Sequence, residues 1–181
     1  MKINIASNEI IHFIGIGGIG MSGLAQIMIN MGFSVQGSDL NKNKSTERLI
    51  KSGIKVYLGH NQKNINKATM IVISSAIKKN NNELRAAKNK KLPVFKRGEM
   101  LANIIALKKN IIVTGSHGKT TTTSLISNIL VEAGLDPTVI NGGVINSLKS
   151  NAQLGKGEWA VIESDESDGS FLKLPITYSI V

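Results

Sequence analysis

Two glycine-rich loops constrain the fold of this chain more than any other feature, because each lies between a short apolar run and a helical pattern. The first, G-I-G-G-I-G at residues 15–20, follows the apolar run Ile10–Ile14. The second, G-S-H-G-K-T at residues 115–120, follows the apolar run at 111–114. A strand, a tight glycine loop and a helix in this order form the start of a βαβ unit. The chain is therefore predicted to be an α/β protein that contains two such units.

Apolar runs and helical patterns alternate along the rest of the sequence, which indicates parallel sheets covered by helices. Helices are predicted at residues 22–31, 46–52, 83–90, 97–107 and 120–133, the last with an apolar stripe of Leu125, Ile126, Ile129, Leu130 and Ala133. Strands are predicted at residues 10–14, 35–37, 56–58, 70–74, 93–95, 111–114, 139–140, 159–163 and 176–181.

The polar junction at residues 108–110 predicts a boundary between a first domain, residues 1–107, and a second domain, residues 108–181. The second pattern stops within its last predicted strand, without the crossover connection that a parallel strand requires. We therefore expect the chain to be a fragment of a longer protein.

The composition excludes several kinds of site. The 181 residues include no cysteine, so a disulfide framework, a thiolate zinc site, an iron–sulfur cluster and a cysteine nucleophile are all excluded. The beginning of the chain lacks the pattern of a secretory leader, and we expect a cytoplasmic protein. Residues 10–38 carry no Asp, Glu, Lys or Arg, but five glycines lie within residues 15–23 of this segment, and no membrane span is predicted.

The chain is basic, with 22 Lys and Arg against 12 Asp and Glu and a net charge of +10. The lysines are scattered among asparagines and form no stripe interleaved with aromatic residues, so nucleic-acid binding is not predicted. Phosphorylated small molecules are ligands that match this charge.

The first glycine loop predicts a site for a diphosphate. Its glycines let the backbone turn sharply and approach a pyrophosphate, whose charge lies at the positive end of the following helix. Asp39 follows the second predicted strand, where an acidic side chain can meet a ribose hydroxyl. A dinucleotide such as NAD and a UDP-sugar carry the same pyrophosphate, so the loop alone leaves both open.

The second glycine loop adds a lysine and a hydroxyl, and it predicts a nucleoside triphosphate site. Lys119 can neutralise phosphate charge, and the hydroxyl of Thr120 can coordinate Mg²⁺. The usual P-loop has four residues between its glycines and this loop has two, so the generic motif does not match. Glu163 ends a predicted strand and is the candidate second metal ligand, ahead of Asp165, Glu166 and Asp168 in the same acidic stretch.

Taken together, these segments resemble the Mur ligases of bacterial cell-wall synthesis, and the resemblance covers the whole chain. It rests on G-I-G-G-I-G-M-S-G at residues 15–23, S-S-A-I at 74–77, R-G-E-M-L at 97–101, G-S-H-G-K-T-T-T-T at 115–123, N-G-G at 141–143 and E-S-D-E-S-D-G-S-F-L at 163–172. The short spacing of the second loop is the form that this family uses. Ser116, Gly98, Ser164 and Gly169 replace other small residues that are usual in the family.

The resemblance implies a Rossmann-like parallel-sheet domain for a UDP-sugar, followed by the incomplete start of a P-loop ATPase-type α/β central domain. It also implies an ATP-dependent ligase that uses Mg²⁺ and joins L-alanine to the lactyl carboxylate of UDP-N-acetylmuramate through an acyl phosphate. Catalytic roles fall on Lys119, Thr120 and Glu163, with Thr120 and Glu163 as metal ligands. The implied ATP-binding residues are Gly115, Ser116, His117, Gly118, Lys119, Thr120 and Thr121. The implied UDP-sugar residues are Gly15, Gly17, Gly18, Ile19, Gly20, Ser22, Asp39, His60, Ser74 and Ser75.

Three alternatives remain open at this point. One is the related ligase that recycles murein tripeptide, which shares the second loop. Another is a nicotinamide-dependent oxidoreductase built on the first loop, which leaves the second loop without a role. The third is a nucleotide-binding module without catalytic activity, and we expect the fragment alone to be inactive.

Overall fold

The structure is a computed structural model that describes residues 9–106, 108–145, 150–153, 155–164 and 176–181. It divides into two compact units, Met1–Arg97 and Gly98–Val181. The boundary at residues 107 and 108 remains a prediction, and Leu107, the last residue of a predicted helix, lies outside the described residues.

The first unit is a five-stranded parallel sheet with helices between its strands, as the sequence predicts. Its strand order is β3-β2-β1-β4-β5, and every neighbouring pair is parallel. The elements in chain order are β1 (Ile10–Ile14), α1 (Ile19–Asn30), β2 (Ser34–Asp39), α2 (Lys44–Lys51), β3 (Lys55–Leu58), a 3-10 turn (Gln62–Ile65), β4 (Met70–Ile73), α3 (Asn82–Asn89) and β5 (Val94–Lys96).

The second unit contains another five-stranded sheet, of order β10-β6-β9-β7-β8. Its described strand pairs are parallel except β7 with β8, which is antiparallel. The elements are α4 (Arg97–Ile105), which begins at the last residue of the first unit, β6 (Lys109–Val113), α5 (Lys119–Glu132), β7 (Thr138–Ile145), β8 (Ser150–Gln153), β9 (Trp159–Glu163) and β10 (Tyr178–Ile180). The predicted fold class is confirmed, whereas β8 and the 3-10 turn were not predicted.

The core of the first unit is centred on β1, which has neighbours on both sides. Ile11, Phe13 and Ile14 are completely buried, as expected for a strand in the middle of a parallel sheet. Ile16 and the backbone of Phe13 lie very close to Gly37 on β2. A Cβ atom on Gly37 would be 2.6 Å from Cδ1 of Ile16 and 2.7 Å from the carbonyl oxygen of Phe13. The absence of a side chain at Gly37 thus lets Ile16, within the first glycine loop, pack into the core.

The charge-free segment at residues 10–38 is divided between β1, α1 and the beginning of β2. Helix α1 has 12 residues, about half of what a bilayer-spanning helix requires. Within the part of the chain that the structure describes, none of the helices combines the length and the apolar character needed to cross a membrane.

The apolar stripe of α5 is only partly buried, because Ile126 and Leu130 are half-buried and its other members are exposed. Leu125 and Ile129 are 59% and 66% exposed, whereas the buried side chains are Thr123 and Ser127. The Ser127 hydroxyl donates to the carbonyl of Thr123 at 2.6 Å, which satisfies it inside the helix. The most buried side chains of α5 are therefore small and carry hydroxyl groups. The hydrophobic period predicted the helix but not the face that it buries.

Lys108, in the polar junction, has a structural role within the second unit. Its ammonium group donates to the carbonyl oxygens of Gly155 and Gly157 at 2.9 and 2.6 Å. Burial lowers the pKa of Lys108 below the usual value for lysine, and the negative charge of Asp136 acts in the opposite direction. This lysine thereby ties the start of β6 to the turn that precedes β9.

Candidate functional site

The first candidate site lies at the carboxyl edge of the first sheet. Gly15 follows β1, Asp39 ends β2, His60 follows β3 and Ser74 follows β4. These strands are parallel, so all four residues reach the same edge of the sheet. The strand order reverses between β1 and β4, and in open α/β sheets ligands bind at such a switch point.

The first glycine loop is held to the end of β2 by backbone hydrogen bonds. The amides of Gly15 and Ile16 donate to the carbonyl of Ser38 at 2.8 and 3.0 Å, and Gly15 has a φ of +83°. The amide of Gly17 donates to Oδ2 of Asp39 at 2.8 Å, while Asn43 donates to the carbonyl of Gly17 at 3.2 Å. The carboxylate of Asp39 therefore supports the loop backbone in this structure.

The other predicted residues of the first site differ in how they could contact a ligand. Gly18 is the N-cap of α1, so no side chain caps the start of this helix. The side chain of Ile19 is 54% exposed. The hydroxyl of Ser22 is buried and donates to the carbonyl of Ile19 at 2.9 Å, so it is used within the helix. Oγ of Ser74 accepts from the amide of Ala76 at 3.3 Å. Ser75 is exposed.

Arg97 lies against the first turn of α1 and was not singled out from the sequence. A Cβ atom on Gly20 would be 2.9 Å from Nη1 of Arg97, so the guanidinium group packs directly on this glycine. A guanidinium beside the N-terminus of a helix adds positive charge where an anionic group can bind. The only sequence signal for it is its place in R-G-E-M-L at residues 97–101.

A buried carboxylate close to this edge was also missed by the sequence reasoning. Glu83, in the first turn of α3, has no solvent exposure. Its Oε1 accepts from Nδ2 of Asn64 at 2.6 Å and its Oε2 accepts from Oγ of Ser38 at 2.5 Å. The same Oε2 lies 3.2 Å from Nδ1 of His60 and 3.4 Å from Nε2 of His12.

These partners keep Glu83 ionised despite its burial. Burial by itself raises the pKa of a carboxyl group, but the hydrogen bonds with His12, Ser38 and Asn64 outweigh it. The pKa of Glu83 consequently lies below the usual value for glutamate.

The lowered pKa of Glu83 leads to a prediction about stability in acid. The unfolded chain takes up this proton at a higher pH than the native protein does, so the stabilisation is complete above about pH 4.3 and is lost as the pH falls through the lower native pKa. We expect the free energy of unfolding, measured by urea denaturation between pH 7 and pH 3, to fall less steeply in Glu83→Gln than in the wild type. Equal slopes for the two proteins would refute this coupling.

The second candidate site lies at the carboxyl edge of the second sheet, around the second glycine loop. The loop connects β6 to α5, and Gly118, the N-cap of α5, has a φ of +75° that suits glycine. Nζ of Lys119 donates to the carbonyl of Gly115 at 2.5 Å, so the lysine side chain folds back over the loop. Ser116 and His117 are exposed, with Oγ and Nδ1 3.3 Å apart, and Thr121 is exposed as well.

The two predicted metal ligands are adjacent in this site. β9 pairs with β6 in a register that places Glu163 opposite Val113, the last residue of β6. The hydroxyl of Thr120 donates to the Glu163 carboxylate, with Oγ1 lying 3.1 Å from Oε1 and 3.0 Å from Oε2. The structure thus brings together two side chains that are 43 residues apart in the sequence.

The residues around Thr120 and Glu163 fit a hard cation and a phosphate group. A hydroxyl and a carboxylate are oxygen ligands of the kind that Mg²⁺ prefers, and phosphate oxygens and water usually complete its octahedron. Among the described residues, both polar atoms of the Asn141 amide and the Ser164 hydroxyl are buried without a hydrogen-bond partner. Asn141 lies one residue beyond Ile140, which pairs with Ile162, so its amide is on the strand next to Glu163.

Asn141 is a further candidate that sequence reasoning did not assign to a site. Its only sequence signal is its place in N-G-G at residues 141–143, and its unsatisfied amide singles it out in the structure. Within the described ranges, no group of three His, Asp or Glu side chains is arranged to hold a metal. The weaker candidates Asp165, Glu166 and Asp168 lie outside the described residues.

Known protein families match both units of the chain. A model described as "Mur ligase family, catalytic domain" matches residues 10–109, and one described as "Mur ligase middle domain" matches residues 113–168. UDP-N-acetylmuramate–L-alanine ligase of Pelagibacter ubique is 65% identical over all 181 residues, and that of Paramagnetospirillum magneticum is 55% identical over the same length. The chain spans 39% and 37% of the lengths of these two relatives.

Solved structures show the same similarity. The UDP-N-acetylmuramate–alanine ligase of Thermotoga maritima is 32% identical with a TM-score of 0.88, and the alignment covers 93% of this chain and 40% of that one. The UDP-N-acetylmuramate:L-alanyl-γ-D-glutamyl-meso-diaminopimelate ligase of Neisseria meningitides is 31% identical with a TM-score of 0.89, covering 96% and 60% of the two chains.

Proposed function

Because the chain belongs to the Mur ligase family, we propose that its parent protein is an ATP-dependent ligase of peptidoglycan precursor synthesis in the cytoplasm. In this proposal it joins L-alanine to the lactyl carboxylate of UDP-N-acetylmuramate. The observation that carries the ATP-dependent step is the Thr120 hydroxyl on the Glu163 carboxylate, directly after a lysine-bearing glycine loop. The relatives that match the whole chain support L-alanine as the amino acid.

In the proposed division of roles, residues 1–107 bind the UDP-sugar and residues 108–181 begin the ATP-binding domain. The N-terminus of α1, directly after the first glycine loop, offers the positive end of the helix to the pyrophosphate, and Arg97 on Gly20 adds positive charge. His60 and Asp39, at the ends of neighbouring strands, face the rest of the uridine nucleotide from the same edge.

The ATP side is assigned to the second loop. The amides at residues 115–121 cradle phosphate oxygens, and Lys119 exchanges its contact with the Gly115 carbonyl for the β- and γ-phosphates. Thr120 and Glu163 would hold Mg²⁺, and the unpaired amide of Asn141 can hydrogen-bond to a phosphate oxygen or a metal-bound water.

The reaction explains why these groups are needed. ATP supplies a phosphoryl group that converts the lactyl carboxylate to an acyl phosphate, and the amine of L-alanine then displaces phosphate to form the amide, leaving ADP and a proton. Lys119 neutralises charge on the transferring group and helps to position it, and Thr120 and Glu163 would hold the Mg²⁺ that supplies further neutralising charge. The contribution of this chain is thus positioning and charge neutralisation.

We expect the full-length protein to release phosphate from ATP only when UDP-N-acetylmuramate and L-alanine are both present, as measured by a coupled phosphate assay. Release with murein tripeptide and not with L-alanine would assign the protein to the recycling ligases. Oxidation of NADH, without phosphate release, would refute the proposal.

A further inference from the structure

The structure assigns Glu83 a role that the sequence motifs do not contain, and we propose that it is the positioning residue for His60 in the UDP-sugar site. In this proposal the carboxylate of Glu83 fixes the orientation and the tautomer of the His60 ring. The ring then presents the lone pair of Nε2 to a hydroxyl or N–H group of the ligand. The inference rests on the proposed function, because it concerns the same site.

The hydrogen bonds around Glu83 join four separate segments of the first unit. Its carboxylate on α3 contacts His12 on β1, Ser38 on β2 and both His60 and Asn64 beyond β3. The amide of Asn61 also donates to Oε1, at 3.3 Å. A carboxylate with this many donors is held firmly, and it can in turn hold the groups that contact it.

The tautomer of His60 follows from the two groups beside its Nδ1. Oγ of Ser38 lies 2.9 Å from Nδ1, and Oε2 of Glu83 lies 3.2 Å from it. The hydroxyl hydrogen of Ser38 is donated to Glu83, so Ser38 offers a lone pair to the ring. Both neighbours of Nδ1 are therefore acceptors, and Nδ1 must carry the hydrogen. In a neutral imidazole this leaves Nε2 as an acceptor.

His12 is held in the opposite tautomer by the same carboxylate. Nε2 of Gln36 is a donor, and it lies 3.2 Å from Nδ1 of His12 and donates to the carbonyl of Asn64 at 2.9 Å. Nδ1 of His12 is therefore the acceptor, and its Nε2 hydrogen points to Glu83. His12 is fully buried and serves the network, whereas the side chain of His60 retains 11% exposure.

The position of His60 makes its Nε2 available at the ligand edge. The amide of Gly59 donates to the carbonyl of Asp39 at 2.7 Å, which sets His60 beside the end of β2. In the described part of the chain, Nδ1 is the only ring nitrogen of His60 with a hydrogen bond. Ser38 links this arrangement to the first glycine loop, since its carbonyl accepts from Gly15 while its hydroxyl contacts Glu83.

Because Nε2 of His60 accepts a hydrogen bond, it can contact only those groups of the ligand that donate one. Phosphate oxygens only accept hydrogen bonds at neutral pH, so they are poor partners for this nitrogen. The ribose hydroxyls and the uracil N3–H are donors, as are the hydroxyls and the acetamido N–H of the amino sugar. Because the proposed function places His60 and Asp39 on the uridine side of the site, we assign His60 to a ribose hydroxyl or to the uracil N3–H. Glu83 thus contributes to recognition of the nucleoside and not of the pyrophosphate.

The test uses the full-length enzyme and begins with the wild type. We expect ¹⁵N chemical shifts of the His60 ring, in the absence of ligand, to report a hydrogen on Nδ1. We expect Glu83→Gln to reduce that population and to weaken binding of UDP-N-acetylmuramate about tenfold by calorimetry, the size of one lost hydrogen bond. Affinity for ATP should not change. Glu47→Gln, an exposed carboxylate on α2, is the matched control and should bind like the wild type.

A double-variant cycle distinguishes positioning from a general effect on structure. If Glu83 acts through His60, adding Glu83→Gln to His60→Ala should cause no further loss of affinity. An additive loss, an unchanged affinity in Glu83→Gln, or a wild-type ring with its hydrogen on Nε2 would overturn the inference. The ring measurement decides the matter even if Glu83→Gln does not fold. A wild type that fails to bind UDP-N-acetylmuramate would instead refute the proposed function.

Discussion

Replacing Lys119 by alanine is expected to lower the ligation rate of the full-length enzyme by about 10³-fold or more, while the affinity for UDP-N-acetylmuramate stays within about twofold. Lys119 is the one lysine in the second glycine loop, and a cation at a transferring phosphoryl group contributes on this scale. Steady-state kinetics gives the loss of rate, and calorimetry gives the affinity.

The unchanged affinity for the UDP-sugar follows from the separation of the two loops between the two units. Lys156→Ala is a suitable control, because this lysine is exposed and lies in the same unit. A parallel loss of UDP-sugar binding in Lys119→Ala would contradict the separation of roles. A variant that retains most of its activity would contradict the role of Lys119.

Replacing Glu163 by glutamine is expected to lower kcat about 10²-fold and to raise the Mg²⁺ concentration that gives half-maximal activity. Glutamine keeps the size of the side chain but removes the negative charge beside Thr120, and a neutral amide is a weaker ligand for Mg²⁺. Added Mg²⁺ should recover part of the lost rate. A titration of activity with Mg²⁺ measures both effects.

Glu158→Gln is the matched control for Glu163→Gln. Glu158 precedes the same strand at its opposite end and forms an exposed ion pair with Lys109 at 3.0 Å. Exposed pairs of this kind contribute little, so neither the rate nor the Mg²⁺ requirement should change. If both glutamine variants show the same Mg²⁺ requirement, Glu163 is not a metal ligand.

The sequence predicted the strand, loop and helix units well, because each depends on local patterns that a short segment contains. The glycines at residues 15–20 and 115–120 mark turns that follow apolar strands, and the structure has both turns in those places. The proximity of Thr120 and Glu163 could also be predicted, since the carboxyl ends of parallel strands meet at one edge of a sheet.

The sequence did not predict features that depend on packing between distant segments. Glu83 looks like an ordinary first-turn helix acid, and only the folded chain shows that it is buried against residues of β1 and β2. The buried face of α5 was also not predicted, because its most buried side chains are those of Thr123 and Ser127, which are not apolar. Hydrophobic periodicity cannot identify a face that packs through small hydroxyl side chains.

Hydrogen–deuterium exchange of the full-length protein tests most directly the central claim that the two glycine loops bind different ligands. We expect UDP-N-acetylmuramate to protect the amides at residues 15–20 and not those at 115–120. ATP with Mg²⁺ should protect residues 115–120 and not residues 15–20. Protection of the first loop by ATP with Mg²⁺, with the second loop unaffected, would contradict the assignment of both sites.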